Sequence, residues 1–297
     1  MTKPNNSLPL VTVYMPTYNR VALLQRAVES VLGQDYRNIE LIVVDDNSTD
    51  GTHQYLAEMA EKDSRFRYFI NEENSGACVS RNKAIFAANG EFITGLDDDD
   101  YFLSHHISTL VTSWNKRNNK SIAVYPNNYV NTNKGLTKAP SKTSKCTAKD
   151  LISANWIGNQ LFTKTIHLQR IGGFDENMPV WQDLECWYRL LKYYNATANT
   201  ANIYSYVIDL DHPHERISSK SANVVVAASN FFSTKHKLTT QEKQILQVRL
   251  KPYLGKQPSV ISIALSLLNS PKKQNFRTSI LLVASPVIKV LKRIKQL

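Results

Sequence analysis

From Leu10 to Leu96 short apolar runs alternate with amphipathic stretches of helical period, and few folds accept that rhythm. Leu10–Tyr14 reads as a short buried strand. Asn19 is placed to cap a helix with Leu23, Ala27, Val28 and Val31 on one face, stopping near Gly33. Ile39–Val44 is almost continuously apolar, the pattern of a central parallel strand covered on both faces. Asp50-Gly51 leads into a helix reaching Lys62, and Phe66–Ile70 forms a third strand. Ser75–Ala88 is a third helix closed by Asn89-Gly90, followed by Glu91–Leu96 as a fourth strand. Parallel neighbours need crossovers, and helical crossovers cover the sheet they connect. The expected class is α/β, a doubly wound and mostly parallel sheet with helices on both faces.

Beyond Tyr101 the rhythm loosens. Ser121–Tyr125 reads as a further strand and Tyr129–Lys145 as a polar loop. A helix is expected over Gln182–Tyr193, where Leu184, Trp187, Tyr188 and Leu191 share a face. Ile203–Ile208 suits a late strand, and Thr239-x-x-Glu242 is a capping-box pattern opening a helix that stops at Pro252.

Two acidic clusters end two of the parallel strands: Asp45-Asp46 after the second and Asp97-Asp98-Asp99-Asp100 after the fourth. Carboxyl ends of parallel strands open onto one edge of the sheet, so both clusters should face one crevice. Adjacent carboxylates repel unless a cation shares their charge, and Mg²⁺ or Mn²⁺ accepts such hard oxygen ligands together with a substrate phosphate. A solvated acidic loop or helix start is the plainer alternative. Arg20 and Arg81 lie at the same edge and suit an anionic ligand. None of the ten glycines forms Gly-x-Gly-x-x-Gly or Gly-x-x-x-x-Gly-Lys-Ser/Thr, which argues against dinucleotide dehydrogenases and P-loop NTPases.

Five ordered blocks carry a resemblance. They are Val13-Tyr-Met-Pro-Thr-Tyr-Asn-Arg20, Val43-Val-Asp-Asp-Asn-Ser-Thr-Asp-Gly-Thr52, Asn74-Ser-Gly-Ala-Cys-Val-Ser-Arg-Asn82, Leu96-Asp-Asp-Asp-Asp100, and Gly172-Gly-Phe-Asp-Glu176 with Trp181-Gln-Asp-Leu-Glu-Cys-Trp-Tyr-Arg-Leu190. Together, over about residues 10–220, they resemble the family-2 inverting glycosyltransferases of the GT-A fold, in particular those of bacterial surface-polysaccharide (O-antigen or capsule) assembly. The resemblance implies a GT-A domain over residues 1–230, with a nucleotide-binding half at about 8–100 and an acceptor-side half at about 101–230. A basic helical region at 231–297 would follow.

The same resemblance implies roles. Pro16, Thr17 and Tyr18 would line the nucleotide pocket, with Arg20 nearby and Arg81 beside the nucleotide. Asp45 would meet the uracil ring and Asp46 the base or ribose. Asp97 and Asp99 match an Asp-x-Asp element, Asp99 being the expected direct ligand of Mg²⁺ or Mn²⁺. Asp98 at the middle position leaves the ligand assignment open, and Asp100 equally suits the sugar pocket. Asp183 would be the base that takes the acceptor proton, with Glu185 the alternative and an N-terminal capping role for Asp183 also open. Gln182 stands where the family often has Glu. In Asp211-His-Pro-His-Glu-Arg-Ile-Ser218, resembling a loop that closes over the donor, His212 would complete the metal shell and Arg216 would pair with a phosphate oxygen. Trp156 would stack on a sugar or pack in the core; His105-His106 suit a helix start.

The net charge of +11 lies in the tail: Lys243–Leu297 carries eleven cations and no Asp or Glu. From Ser285, Val287, Val290, Leu291 and Ile294 share a helical face opposite Lys289, Lys292, Arg293 and Lys295. That pattern suits either an interfacial helix on an anionic membrane or a helix packed on the domain. The longest apolar stretch, Ile280–Ile288, is far short of the roughly 20 residues that span a bilayer. Aromatic residues are not interleaved with the basic ones, so nucleic acid is not expected as a partner. The expected setting is cytoplasmic and peripheral to the inner membrane: no signal peptide is evident, and Cys78, Cys146 and Cys186 are widely spaced and odd in number. The expected partners are a UDP-hexose or UDP-N-acetylhexosamine donor and a lipid-linked saccharide acceptor. Transfer to a polyprenyl phosphate is the alternative within the class, and sugar-nucleotide binding or nucleotidyl transfer the alternative outside it.

Overall fold

The computed structural model describes residues 8–214, 221–250 and 254. The first part follows the expected rhythm: β1 (Val11–Thr17), α1 (Val21–Leu32), β2 (Ile39–Asp45), α2 (Thr52–Lys62), β3 (Phe66–Ile70), α3 (Ala77–Ala87) and β4 (Phe92–Gly95). Next come β5 (Tyr101–Phe102), α4 (His106–Lys116), β6 (Ser121–Thr132), β7 (Gly135–Lys138), β8 (Lys145–Thr147) and α5 (Ala148–Ser153). The last elements are β9 (Phe162–Lys164), α6 (Thr165–Arg170), α7 (Gln182–Tyr193), β10 (Thr197–Asp209), α8 (Ala222–Lys235) and α9 (Thr240–Leu250).

One sheet runs in the order β3-β2-β1-β4-β9-β6-β10-β5, with β7 added to β6 and β8 to β10. The first four strands are parallel. β9 is antiparallel to both β4 and β6, so β6, and β10 parallel to it, point the same way as β1 to β4. The carboxyl ends of β1, β2, β4, β6 and β10 therefore open on one edge.

Alternation along the strands divides the core. Val11, Val13, Met15, Leu41 and Val43 face α1, α2 and α4, while Tyr14, Ile42, Val44 and Ile93 face α3 and the later helices. Gly95 marks a close approach: a Cβ there would lie 2.2 Å from Oε1 of Gln160 and 2.4 Å from the Tyr14 ring. Gly173, with φ +68° and Oδ1 of Asn82 2.2 Å from where its Cβ would be, is the second such position.

Several local expectations are corrected. Asn19 is not a cap: it sits at φ 51° and its side-chain oxygen accepts from the Thr49 amide at 2.7 Å. Arg20 occupies the N-cap of α1, and the Val21 amide is satisfied by Asp50 at 2.9 Å. Leu24 and Leu32, with Ala27, Val28 and Val31, form the buried face of that helix. Tyr129–Lys145 is not one loop. β6 continues to Thr132 and turns into β7, because its polar residues pair along the backbone with β10 on one side and β7 on the other. The boundary expected near residue 230 falls inside α8, whose Phe232 is buried in the same cluster as Trp187 of α7 and Ile245 of α9. α7 matches its expected range, and the Thr239–Glu242 capping box opens α9. Pro252 and the helix expected from Ser285 lie outside the described residues.

Candidate active site

The four aspartates after β4 share the crevice edge, but each has a different set of partners. Asp97 accepts from Arg81 at 2.9 Å, from Asn159 at 3.2 Å and from Gln160 at 3.3 Å. Asp98 accepts from the Thr17 hydroxyl at 2.8 Å and from Arg20 at 3.1 Å. Burial lifts the Asp98 carboxyl to about 6, against the pull of Arg20. Asp99 meets the same guanidinium at 3.2 Å, and its backbone carbonyl accepts from Arg26 at 2.8 Å. Asp100 is turned into the protein, accepting from the Tyr206 hydroxyl at 2.8 Å and the Asp209 amide at 3.0 Å. It ties β4 to β10, and so does not open into a sugar pocket.

β10 delivers the second half of the candidate metal centre. Arg26 pairs with Asp209 at the end of β10, and Asn131 of β6 donates to the same carboxylate at 3.0 Å. Three residues further on, Nε2 of His212 lies 3.7 Å from Oδ2 of Asp99, with the imidazole only 4% exposed. Among the described residues neither ring nitrogen of His212 has a hydrogen-bond partner. Leaving a buried polar group unpaired costs about 1–3 kcal/mol, so an orphaned imidazole beside a carboxylate fits a divalent cation better than a purely structural role. No group of three or more His, Cys, Asp and Glu side chains that could hold a metal occurs among the described residues. An ion at Asp99 and His212 would take its other ligands from elsewhere, as Mg²⁺ and Mn²⁺ do from substrate phosphates. Arg216 lies outside the described residues.

The second acidic pair is differently used. Asp45 is fully buried; it accepts from the Ser48 amide and hydroxyl, and the His53 imidazole lies 2.7 Å from Oδ2. Asp46 accepts from Asn71, the Ser75 and Gly76 amides and the Ser80 hydroxyl. Asp45 binds its own loop and Asp46 the segment between β3 and α3, and neither is open to a base or ribose in this conformation. Pro16 and Thr17 are buried in β1, whereas Tyr18, 44% exposed, stands at the rim. Arg81 is nearly buried, between Asp97 and Gln182, and acts as a strut in the crevice wall.

α7 places Asp183 in its first turn, where the helix dipole favours a negative charge. Nδ2 of Asn155 donates to Asp183 at 2.7 Å. The loop that begins at Asn155 is itself fastened: Nζ of Lys142 donates to the Ile157 carbonyl at 2.8 Å and Nε1 of Trp187 to the Gly158 carbonyl at 2.9 Å. Asn159 and Gln160, further along it, reach Asp97. One loop thus touches both the candidate base and the aspartate run. Burial pulls the Lys142 ammonium down to about 7. Trp156 is core packing, its indole N–H donating to the Asp150 carbonyl at 3.1 Å.

Glu185 is corrected as a base. It is fully buried, bidentate to Arg189, and meets Lys235 at 2.8 Å and His236 at 3.1 Å. Burial alone would raise its pKa, but bonds from His236, Arg189 and Lys235 hold the carboxyl far below the usual range. Such a group fastens α8 to α7 and cannot take a proton from a substrate. Arg26, Asn155, Lys142 and Asp209 were not singled out in the sequence. Arg26 had a signal, a cation on the helix that follows a strand-end Arg; the others sit in polar stretches without a pattern.

The sequence profile described as Glycosyl transferase family 2 matches residues 12–175. "Putative colanic acid biosynthesis glycosyl transferase WcaA" of Escherichia coli is 34% identical over 217 residues, covering 71% of this chain and 76% of its own length. The GalNAc(5)-diNAcBac-PP-undecaprenol beta-1,3-glucosyltransferase of Campylobacter jejuni is 35% identical over 54% of this chain and 53% of its own length. Among solved structures, Staphylococcus aureus TarS 1–349 in complex with UDP-GlcNAc superposes with a TM-score of 0.65 at 20% identity, covering 93% of this chain and 80% of that one. The mannosyltransferase PcManGT of Pyrobaculum calidifontis, in complex with GDP-Man and Mn²⁺, gives 0.60 at 19% identity over 97% and 84%. These likenesses place the sheet and its helices in the GT-A fold.

Proposed function

Because this chain belongs to glycosyl transferase family 2, we propose that it moves a hexose or N-acetylhexosamine from a UDP-sugar to a hydroxyl of a lipid-linked saccharide, with inversion, in bacterial surface-polysaccharide assembly. The observation that carries this reading is the arrangement on one sheet edge: His212 beside Asp99 with no hydrogen-bond partner among the described residues, and Asp183 tied by one loop to the same aspartate run. Asp99 and His212 would hold Mg²⁺ or Mn²⁺, whose charge would offset that developing on the departing diphosphate. Asp183 accepts the proton of the acceptor hydroxyl as the new bond forms, from the face opposite the leaving group. Arg20 keeps Asp98 and Asp99 together, and Arg26 holds the Asp99 backbone against β10. The UDP-GlcNAc complex of TarS supports the donor class, and the name of the Campylobacter relative supports an acceptor carried on a polyprenyl pyrophosphate. A screen of UDP- and GDP-sugars with soluble lipid-pyrophosphate acceptor analogues tests the proposal. The expected result is one UDP-sugar giving a product of inverted anomeric configuration; transfer only from GDP-sugars, or with retention, would overturn it.

No helix among the described residues is long and apolar enough to cross a membrane. We extend the proposal to the basic tail, which would hold the enzyme on an anionic leaflet. Deleting residues 285–297 should release the protein from anionic vesicles in a low-salt co-sedimentation assay and leave transfer to a short soluble acceptor nearly unchanged. Each Lys or Arg near the surface contributes about 1 kcal/mol, a share that salt screens. Sedimentation equal to the full chain's would argue against this.

A further inference from the structure

We infer that Gln182 is a positioning residue, whose neutral amide links the aspartate run through Arg81 to the helix start that carries Asp183. The inference rests on reading Asp183 as the base. The guanidinium of Arg81 donates to Asp97 with Nη2 and to Oε1 of Gln182 with Nη1, both at 2.9 Å. It is 9% exposed and lies 5.3 Å from the centre of the Phe174 ring, so its place is closely set. Gln182 answers with both ends of its amide: Oε1 accepts from Arg81, while Nε2 donates to the Met178 carbonyl at 3.2 Å. Only one orientation of the amide satisfies both partners. A glutamate at this position would keep the bond to Arg81 and set its second oxygen against the Met178 carbonyl.

The backbone just before Gln182 explains why such a tie is needed. Trp181, the N-cap of α7, has φ 63° and ψ 26°, the left-handed region that bulky residues rarely enter. A conformation of this kind persists where the surroundings hold it from several sides. Gln182 fastens the helix start to the donor half, and Asn155 fastens the next residue, Asp183, to the loop that also meets Asp97. The base and the aspartate run are thereby set at one separation. In a single displacement that separation governs whether the base reaches a hydroxyl aligned with the breaking bond.

Gln182→Met removes both amide bonds at similar volume. With the donor found in the screen, kcat should fall by about 10- to 100-fold, while UDP affinity by calorimetry stays near wild type and the protein still melts cooperatively, only a few degrees lower. Gln182→Glu, which restores the acceptor for Arg81 alone, should recover part of that loss. Wild-type kcat in Gln182→Met, equal losses in the two variants, or a matching loss of UDP binding would each overturn the inference. Asp183→Asn measured alongside separates the premises. If that variant keeps its turnover, the base assignment falls; if it is inactive while Gln182→Met is unimpaired, only the role of Gln182 falls.

Discussion

Asp99→Asn should lower turnover by about 10²–10³-fold without unfolding the protein. The substitution keeps the side-chain volume and an oxygen able to accept from Arg20, which also retains Asp98 at 3.1 Å. What it removes is the negative charge beside His212, and with it one of the two protein groups that would hold Mg²⁺ or Mn²⁺. The developing charge on the diphosphate would then be left to Arg20 and solvent. EDTA should reproduce the loss in the wild-type enzyme, and Mn²⁺ should restore it there but not in the variant. Full turnover of Asp99→Asn, together with full activity in EDTA, would remove the metal from the proposal.

Asp183→Asn is the second large effect. The variant keeps the shape of the side chain at the start of α7 but cannot accept a proton. A general base contributes about 10²–10⁴ in rate, so turnover should fall by that order while UDP still binds. The neighbouring bond to Asn155 makes the substitution mild for the fold, since one amide can turn to offer its oxygen to the other. Wild-type turnover in Asp183→Asn combined with loss in Glu185→Gln would reverse the assignment. The buried ion cluster around Glu185 argues the opposite outcome, a less stable protein with its chemistry intact.

How much of this was legible in the chain depended on the range of the interaction. β3 and α7 fall where the apolar periodicity put them, because burial on one face is written locally every two or every 3.6 residues. In the sequence the β6–β7 hairpin has the composition of a loop, because Asn, Lys and Thr carry no such period. It exists through backbone pairing with β10, a strand far along the chain. Asn19 shows the same limit at close range. It has the right chemistry for a cap, yet it is recruited by Thr49 on a neighbouring loop.

The amino-acid sequence by itself determined the α/β class, the edge of the sheet on which Asp97–Asp100 and Asp45-Asp46 gather, and the family. Each of these rests on periodicity or on ordered short motifs. Only the tertiary structure decided what each carboxylate does. Asp45 and Asp46 bind the loops beside them, Asp100 ties to Tyr206, Glu185 is enclosed by cations, and Asp99 faces an imidazole that has no hydrogen-bond partner among the described residues. The reason is physical. A carboxylate's role follows from its burial and from the donors within about 3 Å, and in this protein many of those donors come from β1, α1, α3, β10, α8 and the loop after α5, brought together only when the sheet is assembled.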